Sequence, residues 1–297
     1  MSAGQGGPAD PKHPRGLAAR REASRRFHEQ LLVLGTQDHY EDADLYDHEY
    51  ADRLDDVRWY RALARERGTP GELLEIGAGS GRITCPLARD GLAIIALDRM
   101  PSMLEALARR MQDKPWASRI RLLEGDMREI PLPDASVSLV IAPFNGLMHL
   151  YTWQDLLTCM REVERVLVPG GTFGFDVMLP DLDWLTWDPD ERHAVTRFVH
   201  PVTRERLVYS TNHTYDPETQ VCHIRIYYDD APPRGRKFVP PAEPRRLVHL
   251  AHRQIFPEEL RMLVAHAGLR LESLTGDFVD VPLREATESQ VAVCVKA

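Results

Sequence analysis

The sequence has little of what would place the protein in a membrane or outside the cell. No apolar run approaches the roughly 20 residues that a membrane-spanning helix needs, and the first residues carry no apolar signal-peptide core. The four cysteines are scattered, with neither C-x-x-C spacing nor a disulfide-dense pattern. We therefore expect a cytoplasmic protein in a reducing compartment, with no membrane partner.

Negative charges outnumber positive ones, and the sequence shows no familiar metal-ligand spacing. The chain of 297 residues has 37 lysines and arginines against 45 aspartates and glutamates, a formal net charge of -8, which on average repels polyanions such as nucleic acids. The histidines lack H-E-x-x-H or comparable spacing, so no metal is expected. These absences favour a small-molecule or protein substrate and no nucleic-acid partner.

The N-terminal part differs in composition from the rest. It begins rich in glycine and proline and continues through a basic stretch that ends near Arg26. We expect a mobile, basic tail over residues 1–38, leading into a short helix around residues 23–34. Apolar and aromatic residues then recur at helical intervals. This periodicity predicts a helical cap over residues 41–70, at the start of a domain that spans residues 39–297.

Strand and helix signals alternate through the middle of the chain. Apolar runs predict strands over residues 73–76, 93–97, 120–124, 137–142 and 173–178. The helices predicted between them cover residues 82–89, 102–111 and 153–168. Repeated strand–helix–strand units indicate an α/β fold with a parallel sheet. Pro169-Gly170-Gly171 predicts a sharp stop and reversal before the last of these strands.

A different pattern follows residue 180. Segments rich in β-forming residues, separated by turn residues, predict an antiparallel β insert over residues 186–253. We expect this insert to form a lid over the substrate or a contact in a homodimer. A helix over residues 257–267 and strands over residues 269–274 and 291–295 follow it.

A glycine-rich turn, Glu75-Ile76-Gly77-Ala78-Gly79-Ser80-Gly81, follows the first strand. Glycines permit a tight turn and let a ligand approach the backbone, and a ligand is expected where this strand meets its helix. Asp98 ends the second strand, where a carboxylate can accept hydrogen bonds from both hydroxyls of a ribose. These two features alone would suit a dinucleotide as well. The G-x-G-x-G spacing differs from the dinucleotide G-x-G-x-x-G, however, and Asp126 after the third strand can accept from an adenine amino group.

Together with Leu167-Val168-Pro169-Gly170-Gly171, these motifs resemble those of the class I S-adenosylmethionine-dependent methyltransferases, over residues 42–297. The resemblance implies a Rossmann-like seven-stranded sheet, mostly parallel with an antiparallel last strand, helices on both faces and the β insert after strand five. It implies S-adenosylmethionine as cofactor and S-adenosylhomocysteine as product. The cofactor-binding residues that it implies are Glu75, Gly77, Ala78, Gly79, Arg82, Asp98, Arg99, Met100, Met103, Asp126, Met127, Ala142 and Phe144.

Individual roles also follow from the resemblance. Gly77 and Gly79 would pass under the methionine part of the cofactor, with Glu75 near its amino group. Asp98 would hold the ribose, and Asp126 with Met127 the adenine. Arg82 would bind the methionine carboxylate, since a guanidinium can bind a carboxylate bidentately.

The expected acceptor site begins where the fourth strand ends. Phe144 and His149 have the five-residue spacing seen in bacterial small-molecule N-methyltransferases of the amino-sugar type, and Leu45-Tyr46-Asp47 resembles a segment that gives those enzymes an active-site tyrosine. We therefore predict His149 as general base and Tyr46 as the residue that orients the acceptor. The predicted substrate-binding residues are Tyr50, Phe144, Asn145, His149 and Arg253. Further candidates for a substrate carboxylate or phosphate are Arg197, His200, His213 and His223.

Several alternatives remain open from the sequence. His149 can instead cap a helix or bond within its loop, and Tyr46 can simply pack its helix. DNA amino-methyltransferases carry Asn or Asp before Pro-Pro-aromatic, but here that position is Ala142 and the second proline is absent. N-methylation of a small amine is therefore favoured. The alternatives are small-molecule O-methylation, a non-catalytic S-adenosylmethionine-binding protein, and a protein or RNA modifier that uses the basic N-terminal arm.

Overall fold

The computed structural model describes residues 26, 28–68, 71–279, 281–284 and 286–297. Its strands, in chain order, are β1 (Glu72–Ile76), β2 (Ala93–Asp98), β3 (Ile120–Glu124), β4 (Val137–Ala142), β5 (Leu167–Met178), β6 (His193–Val199), β7 (Arg206–Asp216), β8 (Val221–Asp230), β9 (Arg246–Arg253), β10 (Leu269–Gly276) and β11 (Ser289–Lys296). Its α-helices are α1 (Ala43–Glu49), α2 (Asp55–Arg67), α3 (Thr84–Arg89), α4 (Pro101–Met111), α5 (Trp153–Val166), α6 (Leu182–Leu185) and α7 (Pro257–His266), and residues 28–37 are also helical. Within these described ranges, no helix is both long and apolar enough to cross a membrane.

Seven strands form one sheet in the order β10-β11-β5-β4-β1-β2-β3. The strands β1 to β5 pair in parallel, whereas β11 is antiparallel to both of its neighbours. The predicted fold class, a mostly parallel seven-stranded sheet whose last strand is antiparallel, is confirmed. Because β1 to β5 run in one direction, their carboxyl ends meet at one edge of the sheet, where a ligand is expected.

Helices cover both faces of this sheet because its strands are apolar on both sides. In β1, Leu74 and Ile76 pack with the apolar residues of α5 and α7, whereas Leu73 packs with those of α2 and α3. Burial of one large apolar side chain contributes about 1.5–3 kcal/mol, so these two layers stabilise the sheet and fix its edge. Among the buried residues of β1 the exception to this apolar pattern is Glu75, a carboxyl that is only 1% exposed.

The strand after the proline–glycine motif begins earlier than predicted. β5 starts at Leu167, and Pro169-Gly170-Gly171 lies inside it. Its pairing with β4 shifts from Val137–Leu167 to Leu139–Thr172, so extra residues of β5 loop out between the two pairs. Gly170 has a φ of +76°, which a glycine adopts without strain. The prediction of a stop and reversal before this strand is therefore wrong: the motif forms an irregular loop inside β5.

Residues 28–38 belong to the folded part of the protein. The Thr36 hydroxyl lies 2.6 Å from the Tyr151 hydroxyl, and a Cβ on Gly35 would lie 2.5 Å from the Cβ of Ala251. These contacts cross more than 100 residues of sequence and leave no local pattern, which is why the sequence assigned this segment to a tail ending at residue 38. Residues 1–25 of the predicted tail lie outside the described residues.

The strands β6 to β9 form a separate antiparallel sheet in that order, within the predicted insert. The N-terminal segment, residues 28–49, lies along its edge strand β9. Gly35 packs against Ala251, and the Asp38 carboxylate accepts a hydrogen bond from the His249 backbone N–H at 3.3 Å. Leu45 of α1 joins Val248 and other apolar residues of the insert in one cluster. The N-terminal segment thus attaches the insert to the rest of the domain.

Candidate active site

A cavity lies at the carboxyl ends of β1, β2 and β4, beside the N-terminal segment. The space free of protein atoms at this place is about 800 Å³, with the open solvent at the mouth of the cavity included. The predicted site residues that line it are Tyr46, Gly77, Gly79, Asp98, Arg99, Met100, Met103, Asp126, Met127, Phe144 and His149. The other lining residues are outside the predicted set of site residues; they are Thr36, Tyr40, Ile76, Leu97, Gly125, Pro143, Gly146 and Leu150.

Two glycines of the turn after β1 leave room for a ligand. Gly77 and Gly79 have φ values of +68° and +56°, and a Cβ built on either would meet no atom within 4 Å. Gly81 has a different role, because its Cβ would lie 2.3 Å from Leu107 Cδ1 on α4. The first two glycines therefore form an open cradle at the cavity, and the third permits close packing of a helix.

Asp98 ties the cradle to the end of β2. Its Oδ2 accepts a hydrogen bond from the Gly79 N–H at 2.7 Å, and its Oδ1 accepts from the Met100 N–H at 2.8 Å. Burial raises the pKa of this carboxyl, and hydrogen bonds from the backbone of Met100, Gly79 and Arg99 oppose that shift. A carboxylate has about four lone-pair sites, so Asp98 can still accept hydrogen bonds from a ligand in the cavity.

Glu75 lies under the turn and outside the cavity lining. Its Oε2 accepts a hydrogen bond from the Thr84 hydroxyl at 2.6 Å, which joins β1 to α3. Burial raises the pKa of Glu75 to about 8, against a usual 4.5. At neutral pH the folded protein therefore keeps a proton on this carboxyl that the unfolded chain releases.

This difference predicts how Glu75→Gln changes stability with pH. Between about pH 4.5 and 8 the folded wild type holds a proton that the unfolded chain has lost, so its free energy of unfolding falls as the pH rises. Glutamine does not titrate and can still accept from Thr84. We therefore expect the free energy of unfolding of the variant, relative to that of the wild type, to increase by a few kcal/mol as the pH rises to 8. Urea unfolding of both proteins at pH 5, 7 and 9 measures this difference, and a constant difference would contradict the shift.

Asp126 lines the cavity at the end of β3 and is held by an arginine that the sequence did not single out. Arg128 Nε lies 3.0 Å from Asp126 Oδ1, and its second guanidinium nitrogen lies 2.7 Å from Oδ2. The same guanidinium bonds Asp155 at 2.8 Å. The Arg128 hydrogen bonds hold the pKa of Asp126 below its usual value. Asp126 is therefore a fixed, ionised acceptor at the cavity.

Arg82 does not line the cavity. Its guanidinium bonds both carboxylate oxygens of Asp56, at 2.9 and 2.5 Å, and the backbone carbonyl of Arg53 at 3.0 Å. It also lies 4.6 Å from the centre of the Phe144 ring. In this structure Arg82 links α2 to the loop after β4, and Asp56, which is fully buried, is the carboxylate that it binds.

His149 and Tyr40 form a pair at the cavity wall. The Tyr40 hydroxyl lies 2.6 Å from His149 Nε2. His149 Nδ1 is buried and has no hydrogen-bond partner among the described residues. Burial lowers the pKa of His149 to about 3, so its imidazole is neutral near pH 7. Tyr40 matches no motif spacing. The only feature of the sequence that could have identified it is its position shortly before the Leu45-Tyr46-Asp47 motif.

The remaining predicted residues lie either close to the cavity or in the insert. Close to the cavity, the Tyr46 ring packs 4.8 Å from the ring of Tyr50, and the Tyr50 hydroxyl lies 3.1 Å from His39 Nε2. Tyr50 is outside the lining, as are Ala78, Ala142 and Asn145. Arg253, at the end of β9, bonds Gln220 at 2.8 Å and Glu259 at 2.5 Å and does not line the cavity. The insert residues Arg197, His200, His213 and His223 do not line it either.

Comparison with known families supports the interpretation of the motifs. Residues 73–171 match a family model described as a methyltransferase domain. The resemblance drawn from the motifs is therefore confirmed. The matched segment covers β1 to β4 and the glycine cradle, whereas the N-terminal segment and the insert lie outside it.

Individual relatives share part of the sequence or the whole fold. A malonyl-(acyl-carrier protein) O-methyltransferase of Halorhodospira halophila is 34% identical over 144 residues, which are 48% of this chain and 45% of that protein. The chain thus matches less than half the length of this relative. The CcbJ methyltransferase from Streptomyces caelestis has a TM-score of 0.66 at 23% identity, over 82% of this chain and 90% of that chain. CalS10, an amino pentose methyltransferase from Micromonospora echinaspora, has a TM-score of 0.59 at 18% identity, over 85% of this chain and 96% of that chain. At these identities the two structures show a common fold.

Proposed function

We propose that this protein, which carries a methyltransferase domain on a class I methyltransferase fold, is an S-adenosylmethionine-dependent methyltransferase that acts on a small-molecule amine. The observation that carries the proposal is the open cradle of Gly77 and Gly79, tied to Asp98 by a hydrogen bond of 2.7 Å. The cradle, a ribose acceptor and the fixed Asp126 acceptor line one cavity. An adenosyl group with a methionine tail fits this set of groups.

Each part of the cofactor has a residue suited to it. The backbone at Gly77 and Gly79 would pass under the methionine part of the cofactor. The free lone pairs of Asp98 would accept hydrogen bonds from the ribose hydroxyls. Asp126, oriented by Arg128, would accept from the adenine amino group, with Met127 beside it. Arg99 is exposed at the rim next to Asp98. Glu75 would act through the shape of the turn, since it does not reach the cavity.

The acceptor would enter at the side of the cavity lined by Tyr40, Tyr46, Phe144 and His149. When bound, S-adenosylmethionine would supply a methyl group on a sulfonium: the lone pair of the acceptor amine forms a bond to the methyl carbon as the carbon–sulfur bond breaks, and S-adenosylhomocysteine leaves. The chain has to align that lone pair and exclude water, and alignment can contribute about 7–11 kcal/mol. The Tyr40 hydroxyl, fixed by His149 at 2.6 Å, can accept a hydrogen bond from the amine. Tyr46 and Phe144 would form the apolar walls.

Two features favour an amine as acceptor. The lining of aromatic rings suits the cationic product of N-methylation, because ring faces attract cations. CalS10, which shares the fold, is an amino pentose methyltransferase. O-methylation is the second candidate, because the Halorhodospira halophila relative is an O-methyltransferase.

The insert would cover the acceptor or join two copies of the chain. The four cysteines are buried free thiols, which suits a reducing compartment such as the cytoplasm.

A binding measurement followed by an acceptor screen tests the proposal. We expect S-adenosylhomocysteine to bind the full chain in a calorimetric titration, whereas NAD, the control for the dinucleotide alternative, should not. Amines and matched alcohols are then compared for the release of S-adenosylhomocysteine from S-adenosylmethionine. Turnover of amines supports N-methylation, and turnover of alcohols alone would move the proposal to O-methylation. Absence of S-adenosylhomocysteine binding would contradict the cofactor assignment.

A further inference from the structure

The loop that follows β4 has an unusual backbone. Phe144 and Asn145 are consecutive non-glycine residues with φ values of +55° and +63°, in a region that residues with a Cβ adopt at a conformational cost. Phe144 also lines the cavity. A strained turn at this place needs contacts that hold it.

One buried carboxylate holds this turn. Asp176 on β5 is fully buried, and its Oδ1 accepts a hydrogen bond from the Phe144 N–H at 2.8 Å. The same Oδ1 accepts from the Tyr60 hydroxyl at 2.6 Å. Tyr60 lies on α2 and is also fully buried. Asp176 Oδ2 is buried and has no hydrogen-bond partner in the part of the chain that the structure describes.

The ring of Phe144 is held as well as its backbone. The guanidinium carbons of Arg82 and Arg53 lie 4.6 and 4.9 Å from the ring centre, and the Tyr50 ring packs edge-on at 4.7 Å. These ring contacts, together with the hydrogen bond from the Phe144 N–H to Asp176, fix the Phe144 ring relative to the cavity. Neither Asp176 nor Tyr60 lines the cavity, so any effect on a ligand passes through Phe144.

We propose that Asp176 is a positioning residue for the methyl-transfer site: its Oδ1 holds the left-handed turn at Phe144 and Asn145 and thereby sets the Phe144 ring at the point where acceptor and methyl group meet. The inference rests on the proposed function. Since both donors converge on Oδ1, the position requires an acceptor oxygen and not a negative charge. A role as counter-ion or proton acceptor would require the charge.

This distinction makes Asp176→Asn and Asp176→Ala an informative pair. Asparagine can place its Oδ1 where the carboxylate Oδ1 lies and keep both hydrogen bonds, while its amide nitrogen occupies the place of the unpaired Oδ2. Alanine removes the acceptor altogether. Val177→Ala is the matched control, because Val177 is equally buried on β5 but belongs to the apolar cluster on the other face of the sheet.

The probe is sinefungin, compared with S-adenosylhomocysteine. In sinefungin a carbon bearing an amine replaces the methylated sulfonium, so the amine occupies the place of the transferred methyl group and needs no acceptor. We expect Asp176→Ala to lower the preference for sinefungin over S-adenosylhomocysteine about tenfold, while the Kd for S-adenosylhomocysteine stays within about threefold of the wild type. Asp176→Asn and Val177→Ala should keep the wild-type preference.

The outcomes separate this inference from the proposed function. If the wild type binds neither ligand, the proposed function fails. If Asp176→Ala keeps the wild-type preference, only the positioning role fails, and if Asp176→Asn loses as much preference as alanine, the charge matters and the role is again overturned. Should Asp176→Ala not fold, Tyr60→Phe decides, because it removes one of the two donors. We expect it to lower the sinefungin preference in the same direction, and an unchanged preference would contradict the role.

Discussion

Asparagine in place of Asp98 is expected to weaken the binding of S-adenosylhomocysteine about 100-fold. The carboxylate accepts from Gly79 with one oxygen and from Met100 with the other. It also lines the cavity, so its remaining lone pairs can accept from the ribose hydroxyls of a bound cofactor. An amide has one acceptor oxygen, so its nitrogen would meet one of these two N–H donors. A hydrogen bond to a charged group contributes about 1.5–3 kcal/mol, and a loss of about 3 kcal/mol is a 100-fold change in Kd.

Calorimetric titration of the folded variant measures this effect. Asp90→Asn is a matched control, because Asp90 lies just past α3 and bonds Arg61 and Arg65 at the surface, outside the cavity. We expect the control to bind as the wild type does. A melting curve of each protein checks that Asp98→Asn is folded at the temperature of the titration. Wild-type affinity in Asp98→Asn would remove Asp98 from the cofactor site.

The parts of the fold that could be predicted are those encoded by neighbouring residues. The strand at residues 137–142 and the turn at Gly77 to Gly81 are each contained in fewer than ten residues, and periodicity with glycine spacing is enough to locate them. Asp98 and Asp126 could be placed because Asp98 ends a strand and Asp126 lies two residues past the end of the next one, and the carboxyl ends of parallel strands meet at one edge.

The parts that could not be predicted depend on pairs that are distant in sequence. Arg82 stands next to the glycine turn, and no spacing in the sequence indicated that Asp56 on another helix would bond its guanidinium at 2.5 Å. Tyr40 reaches His149 across 109 residues. Asp176 reaches both Tyr60 and Phe144, on two other elements. No spacing in a single sequence specifies which of many charged or aromatic residues will meet after folding.

Tyr40→Phe and His149→Ala are expected to lower kcat about 100-fold each, with little change in the Kd for S-adenosylhomocysteine. Each removes one half of the 2.6 Å contact that fixes the Tyr40 oxygen, and loss of alignment by about 1 Å costs rates of this order. Because the two residues act as a unit, the double variant should lose little more than either single variant. His266→Ala, at an exposed position at the end of α7, is the control. Steady-state kinetics with an amine found in the screen measures kcat, and single-turnover kinetics shows whether the methyl-transfer step itself has slowed.

The pH profile of the same variants decides whether His149 orients the acceptor or removes its proton. Burial lowers the pKa of His149 to about 3, whereas an alkylammonium acceptor has a pKa of about 10, as lysine does. Moving a proton from the second to the first costs about 10 kcal/mol at about 1.4 kcal/mol per pKa unit. General base catalysis contributes about 100- to 10,000-fold, or about 3–5 kcal/mol, which is too little to offset that cost. We therefore expect kcat/KM to rise with pH along the ionisation of the acceptor itself, in the wild type and in His149→Ala alike. A rising limb between pH 5 and 7 that is lost in His149→Ala would show instead that binding of the acceptor restores the basicity of His149 and makes it the base.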